Sequence, residues 1–217
     1  MNPCGATRSE KGRQLIELYA SMAQNGYNTT DEQHIDHAFN DMEMRAYAAQ
    51  IRAMLQVLQA ETMLDFGCGG SDYELPGFDG QLSAREYLGL REVYRYEPAR
   101  GIDQRQPADA VLCFDVLEHL FIADMAATVR ELFSLARKLL VVNVACYEAR
   151  AMLPNGENAH ITVRAPLWWK GFFDAIAIEY PGVHVCLMCS VGWRNASLFP
   201  IWSGEDWINS PTFVTSN

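Results

Sequence analysis

Two short strings hold the residue types on which chemistry could be built. The first is Met63-Leu-Asp-Phe-Gly-Cys-Gly-Gly70, an apolar run that reaches an acid and then a glycine-rich turn. Glycine at 67 and 69 permits positive φ and lets the backbone approach a ligand with no Cβ in the way. The N–H groups of such a turn suit polar or negative ligand groups. The second is Asp109-Ala-Val-Leu-Cys-Phe-Asp-Val-Leu-Glu-His-Leu120, a fully apolar strand that ends in Asp115, Glu118 and His119. Asp115 either caps the next turn or faces a ligand. An imidazole with an ordinary pKa of about 6.5 suits proton removal at neutral pH. Glu118 and His119 could equally orient the loop by hydrogen bonding to backbone.

A third string, Asn155-Gly-Glu-Asn-Ala-His160, is polar and ends in a histidine. It suits a substrate wall, with His160 as a base and Asn158 facing the substrate, although Asn and Gly are also ordinary turn residues. Trp168 and Trp169 follow; one is expected in the core and the other, Trp168, against the substrate. His34 and His37 share a helical spacing but fit an exposed polar face. Cys186-Leu-Met-Cys189 has metal-site spacing inside what reads as a buried strand, without the second ligand pair a zinc site needs. No metal site is expected.

The elements that must position these residues alternate between strand and helix. Arg13–Ala23 has helical periodicity, and Gly26 breaks it. Thr30-Asp-Glu-Gln33 matches a capping box and predicts a helix through His34 and Phe39. Arg45–Leu58 is a further amphipathic helix. Thr62–Phe66 is the first sheet strand, Ser71–Gly80 a loop, and Leu82–Gly89 a short helix. Arg91–Tyr96 is the second strand, ending at Glu97; an alternative register makes Glu86–Arg91 that strand. Ala110–Phe114 is a strand, Ala123–Lys138 a helix and Leu139–Ala145 a strand apolar on both faces. Ala151–Ala165 is a loop, Pro166 opens a helix, and Val183–Cys189 is a strand. The pattern predicts an α/β fold: a doubly wound, mostly parallel sheet with helices on both faces and its ligand site at the carboxyl ends of the strands. Residues 1–50 are expected to form an N-terminal helical lid on a single domain spanning 51–217.

Composition narrows the function classes. The chain has 217 residues, 49% of them hydrophobic, enough for a sizeable core. Its formal net charge of −10 repels phosphate backbones and anionic lipid, which disfavours nucleic acid and membrane partners. The longest apolar run is strand-length. The expectation is a cytoplasmic protein with reduced cysteines, acting on a small molecule, with a dimer as an option.

Together, Leu-Asp-Phe-Gly-Cys-Gly-Gly and Asp-Val-Leu-Glu-His resemble the class I S-adenosylmethionine-dependent methyltransferases over residues 45–190. Tyr96-Glu-Pro-Ala99 and the string from Leu153 to Trp169 look like a less-characterised bacterial and phage subgroup. The resemblance implies a Rossmann-like sheet and S-adenosylmethionine as cofactor. Asp65, Phe66, Gly67, Cys68, Gly69 and Gly70 would line its methionine and ribose, Glu97 would accept from the ribose hydroxyls, and Phe114, Asp115 and Val116 would pass beside it. The interval between Glu97 and Asp109 is too short and polar for the family's helix, third strand and adenine-contacting acid, so this edge of the sheet is expected to be trimmed. The implied reaction is methyl transfer to a hydroxyl or amine of a small molecule or sugar, with His160 or His119 as base. Two other roles fit the same fold: a different use of the cofactor, by aminopropyl transfer or cofactor cleavage, and a non-catalytic partner subunit.

Overall fold

The computed structural model describes residues 8–36, 43–192, 195–201 and 214–215. Helix α1 (Glu10–Asn25) starts where Ser9 Oγ accepts from the Gly12 N–H at 3.0 Å, and ends at Gly26, whose φ is 74°. A hairpin follows, β1 (Tyr27–Thr29) and β2 (His34–Ile35). It replaces the helix predicted from Thr30. Thr29, one residue earlier, closes the turn: its Oγ1 accepts from Gln33 N at 3.0 Å and its N–H donates to Gln33 O at 2.8 Å. This side-chain bond offers the backbone an alternative to the helix. Phe39 and His37 lie outside the described residues.

A 3₁₀ turn (Glu43–Tyr47) leads into α2 (Ala48–Val57) and then β3 (Thr62–Phe66), buried at every position. The stretch expected as loop contains β4 (Pro76–Asp79), which pairs with β5 (Leu82–Ser83) in the first two residues of the expected helix. Helix α3 (Ala84–Leu88) has a complete capping box between Ser83 and Glu86 and ends at left-handed Gly89. Glu86 is therefore helical, and the second sheet strand is β6 (Glu92–Glu97). Then come β7 (Ile102–Asp103), β8 (Ala108–Phe114) and α4 (Ile122–Leu135), which runs directly into β9 (Ala136–Ala145). Two-residue β10 (Ala151–Met152), α5 (Pro166–Ala177), β11 (His184–Gly192), β12 (Asn195–Ile201) and β13 (Val214–Thr215) complete the order.

Eight strands form one sheet in the order β13-β12-β11-β9-β8-β3-β6-β7. Its five central strands are parallel, from β11 to β6, while β12 and β7 add antiparallel edges. The chain leaves β3 for β6 on one side and returns to β8 on the other. Strand order therefore reverses between β3 and β8, and the crevice at their carboxyl ends is the ordinary ligand position of such sheets. Between Glu97 and Ala108 there is only a 3₁₀ turn and the two residues of β7, so this edge is trimmed as expected.

Helices cover both faces. On one, Val129, Phe133 and Phe173 of α4 and α5 pack on Leu64, Val111 and Val142. On the other, Ile51, Leu55 and Leu88 of α2 and α3 pack on Met63, Leu112 and Val141. Each fully buried side chain of this size contributes about 1.5–3 kcal/mol. Cys186 and Cys189 are free thiols that point into opposite cores. A third cluster joins Leu15 and Met22 of α1 to Ala149, Leu153 and Ala159, and β1 pairs with β10. The N-terminal cover is thus one helix and a hairpin bound to the segment after β9. The boundary expected at residue 50 falls inside α2, whose Ile51 and Leu55 belong to the sheet's own core. Among the described residues no helix is long and apolar enough to cross a membrane.

Candidate functional site

The glycine turn leaves β3 with Gly67 at φ 89° and Gly69 at φ 54°. The N–H groups of Gly67 and Cys68 both donate to Tyr96 O, at 2.7 and 3.1 Å, which ties the turn to the end of β6. Glu97 completes the tie: Oε2 accepts from Gly69 N at 3.1 Å and Oε1 from Ala99 N at 3.0 Å. Burial raises the Glu97 pKa against these two N–H bonds. A Cβ at Gly67 would overlap the Val116 side chain, so the two motifs touch at that point.

Asp65 is buried at the end of β3, where its Oδ2 accepts from the Tyr73 hydroxyl at 2.8 Å. Desolvation pushes its pKa up to about 7, with Tyr73 and Arg95 pulling the other way. Phe66 sends its ring into the core against Tyr96, with ring centroids 4.6 Å apart, so only its backbone belongs to the turn. Cys68 is buried and its thiol is pushed up to about 12 by desolvation, which removes thiolate chemistry at neutral pH. Gly70 is exposed at the outer end of the turn.

The second motif leaves β8 with Asp115 at φ 52°, a conformation that non-glycine residues rarely hold and that concentrates at ligand sites. Asn143 of β9 holds it from two sides: Asp115 N donates to Asn143 O at 3.1 Å, and Asn143 Nδ2 donates to Asp115 Oδ1 at 2.9 Å. Ser190 of β11 donates to Asn143 Oδ1 at 3.0 Å, so one polar chain crosses three strand ends. Sequence reading passed over Asn143; its signal was a single carboxamide in the otherwise apolar run Leu139–Ala145. Phe114 packs against Tyr47 at the other side of the strand end. Val116 and a 3₁₀ turn (Leu117–His119) follow.

Glu118 is wholly buried. Its Oε1 accepts from Ala145 N at 2.8 Å, and its Oε2 has no N–H or O–H donor. Asp115 lies close enough for the two carboxyl groups to share a proton. Burial first, and the partner carboxylate second, raise the Glu118 pKa; burial, then the charge of Glu43, push Asp115 up to about 7.

The two candidate bases meet. The His119 and His160 rings are edge to face, with centroids 4.9 Å apart. His160 Nδ1 lies 2.5 Å from Tyr147 O, and His119 Nδ1 lies 3.0 Å from Ala159 O and 2.8 Å from the Tyr19 hydroxyl. Tyr19 itself donates to Ala159 O at 2.6 Å, so toward His119 its oxygen is the acceptor. Both rings are therefore Nδ1–H tautomers with a lone pair on Nε2. Desolvation, then the neighbouring His160, push His119 down to about 3, and desolvation lowers His160. Tyr19 comes from α1, in the N-terminal segment expected to close over the site, whereas Tyr147, from the loop after β9, was not singled out in the sequence.

The remaining predicted residues lie in other roles. Asn158 turns its carboxamide to its own loop: Oδ1 accepts from Ala149 N and His160 N, both at 3.0 Å, and Nδ2 donates to Ala149 O at 2.8 Å. It positions His160 rather than presenting a free amide. Trp169 is the core tryptophan, and Trp168 is partly exposed, stacked on Phe172 with Arg164 over its ring. These partners belong to α5 and the segment leading into it, and none of them belongs to the histidine pair. His34 Nδ1 donates to Asn28 Oδ1 and its ring faces Asp36. Comparison with known proteins returns no matching family model, curated protein or solved structure.

Proposed function

We propose that this chain is an S-adenosylmethionine-dependent methyltransferase on a Rossmann-like sheet, acting on a hydroxyl or amine of a small molecule or sugar. One observation carries the reading: the glycine turn and the Asp115–His119 segment pack against each other, Gly67 on Val116, at the strand-order reversal between β3 and β8. The residues suit the cofactor. Gly67 and Gly69 take positive φ where a backbone cradle needs it, Asp65 offers a buried carboxylate to an ammonium, and Glu97 stands at the end of β6 where ribose hydroxyls need an acceptor.

When bound, the cofactor supplies an electrophilic methyl group on a sulfonium. The chain's part is to align an acceptor with it and to exclude water, a contribution of about 7–11 kcal/mol where the geometry is good. Glu97 would exchange its bonds to Gly69 and Ala99 for ribose hydroxyls. The acceptor's proton would pass to the group formed by Glu118, His119 and His160, which faces the same strand edge. The formal charge of −10 favours neutral or cationic acceptors over nucleic acid. The test is incubation with methyl-labelled cofactor and a panel of sugar, polyol and amine acceptors, read as S-adenosylhomocysteine formed and label transferred. Acceptor-dependent product supports the reading; cofactor consumed without S-adenosylhomocysteine points to another use of the cofactor.

A second reading, a non-catalytic subunit of the same fold, draws on Glu97, both of whose oxygens already bind the protein's own backbone. It predicts a wild-type chain that does not bind the cofactor at all.

A further inference from the structure

We propose that Glu118, His119 and His160 form the binding site of a divalent first-row transition-metal ion, with open coordination positions for an oxygen of the acceptor. The site stands on geometry; only the part given to the acceptor rests on the methyl-transfer reading above.

One ligand atom from each of the three residues lies within 4.8 Å of the other two. Bonds of about 2.0–2.2 Å draw these atoms in around a single ion. The atoms that remain free are those a metal needs. Each histidine has its Nδ1 on a backbone carbonyl, Ala159 O for His119 and Tyr147 O for His160. A metal-bound imidazole has the same arrangement: the outer N–H held by a carbonyl or carboxylate and the inner nitrogen bare. Glu118 supplies the independent sign. Its side chain is completely buried, Oε1 is held by Ala145 N, and Oε2 is left without a donor. A buried carboxylate oxygen in that state costs several kcal/mol unless a proton or a cation satisfies it. Asp115, strained at φ 52°, sets a second carboxyl group beside that of Glu118.

The ligand set also selects the ion. Two imidazoles and one carboxylate suit Mn²⁺, Fe²⁺, Co²⁺ or Zn²⁺, whereas Ca²⁺ and Mg²⁺ take oxygen ligands. Two histidines and an acid gathered on one side leave the other coordination positions open. An acceptor hydroxyl bound there has its pKa lowered by the ion, so the histidines hold the metal and need not act as bases. The preferred acceptor class is then one with a metal-binding oxygen, such as a polyol or hydroxy acid, above a simple amine.

The experiment titrates Mn²⁺ into the purified, chelator-stripped full-length chain and reads bound ion by electron paramagnetic resonance, with pulsed measurements for nitrogen couplings. Mn²⁺ is chosen because the cysteine thiols ignore it. The expected result is one ion per chain, coupled to imidazole nitrogen, with affinity at least tenfold lower in both Glu118→Gln and His160→Gln. Circular dichroism of each variant checks the fold, and if a variant does not fold the nitrogen couplings of the wild type decide alone. No saturable Mn²⁺ site, a site without nitrogen coupling, or unchanged affinity in both folded variants would overturn the proposal. S-adenosylmethionine binding is measured on the same stripped protein. Its presence without a metal site overturns the metal alone; a metal site without cofactor binding overturns the methyl-transfer reading alone.

Discussion

Gly67 lies so close to the Val116 side chain that no Cβ fits between them. The contact joins the turn after β3 to the turn after β8 and fixes both walls of the crevice. Gly67→Ala is expected to destabilise the fold by about 1–3 kcal/mol, from the φ of 89° and from overlap with Val116 together. Val116→Ala in the same chain should recover the steric part and leave the backbone part. Chemical denaturation of the two single variants and the double variant measures the coupling.

Asp65 gives the pH dependence. Its pKa is raised by burial to about 7, above an unfolded value of about 3.9, so the folded state holds a proton that the unfolded state has lost between these values. Stability from this group is complete below pH ~4 and falls by about 1.4 kcal/mol per pH unit until about pH 7. Asp65→Asn should remove that slope, read as the difference between the two proteins' denaturation midpoints across the window. Cofactor affinity should run the opposite way, because the ammonium needs the ionised form: it rises with pH and levels off above about 7. Tyr73→Phe removes the hydrogen bond that lowers the Asp65 pKa and should move that profile to higher pH.

Asn143 holds Asp115 and Ser190 in one buried chain. Asn143→Ala removes one hydrogen-bond partner from each and should cost about 1–3 kcal/mol. Since it also frees the strained backbone at Asp115, cofactor affinity should fall with it. A variant of normal affinity and reduced stability would limit Asn143 to a structural role.

Asp124, at the start of α4, anchors α1: its carboxylate accepts from Ser9 N at 2.8 Å and Ser9 Oγ at 2.7 Å. Asp124→Ala should cost about 1–3 kcal/mol and raise amide hydrogen exchange first in α1 and in the 147–161 segment on which it packs. Uniform exchange over the whole sheet would contradict a locally anchored cover.

Much of this architecture was legible in the sequence. Strands β3, β8, β9 and β11 are buried on both faces and so read as short apolar runs, and their order with α4 and α5 follows from alternation alone. The Thr30 capping box misled because a hydroxyl one residue earlier closes a hairpin turn, and because β1 gains a partner in β10, a contact no local pattern encodes. The site was half legible. Gly67, Asp115, Glu118, His119 and His160 stood out as residue types. The bond between Tyr19 and His119 spans 100 positions, and Asn143 sat inside an apolar strand, so neither had a local signature. That Asn158 would turn its amide inward also depends on the folded loop rather than on spacing.

The central claim is that the crevice between the Gly67 turn and the Asp115–His119 segment takes S-adenosylmethionine. Calorimetric titration of the wild-type chain with the cofactor at pH 8 tests it most directly. The account predicts saturable binding of one molecule per chain, lost in a folded Gly67→Arg variant. No measurable binding at millimolar cofactor, or equal binding in that variant, would contradict it.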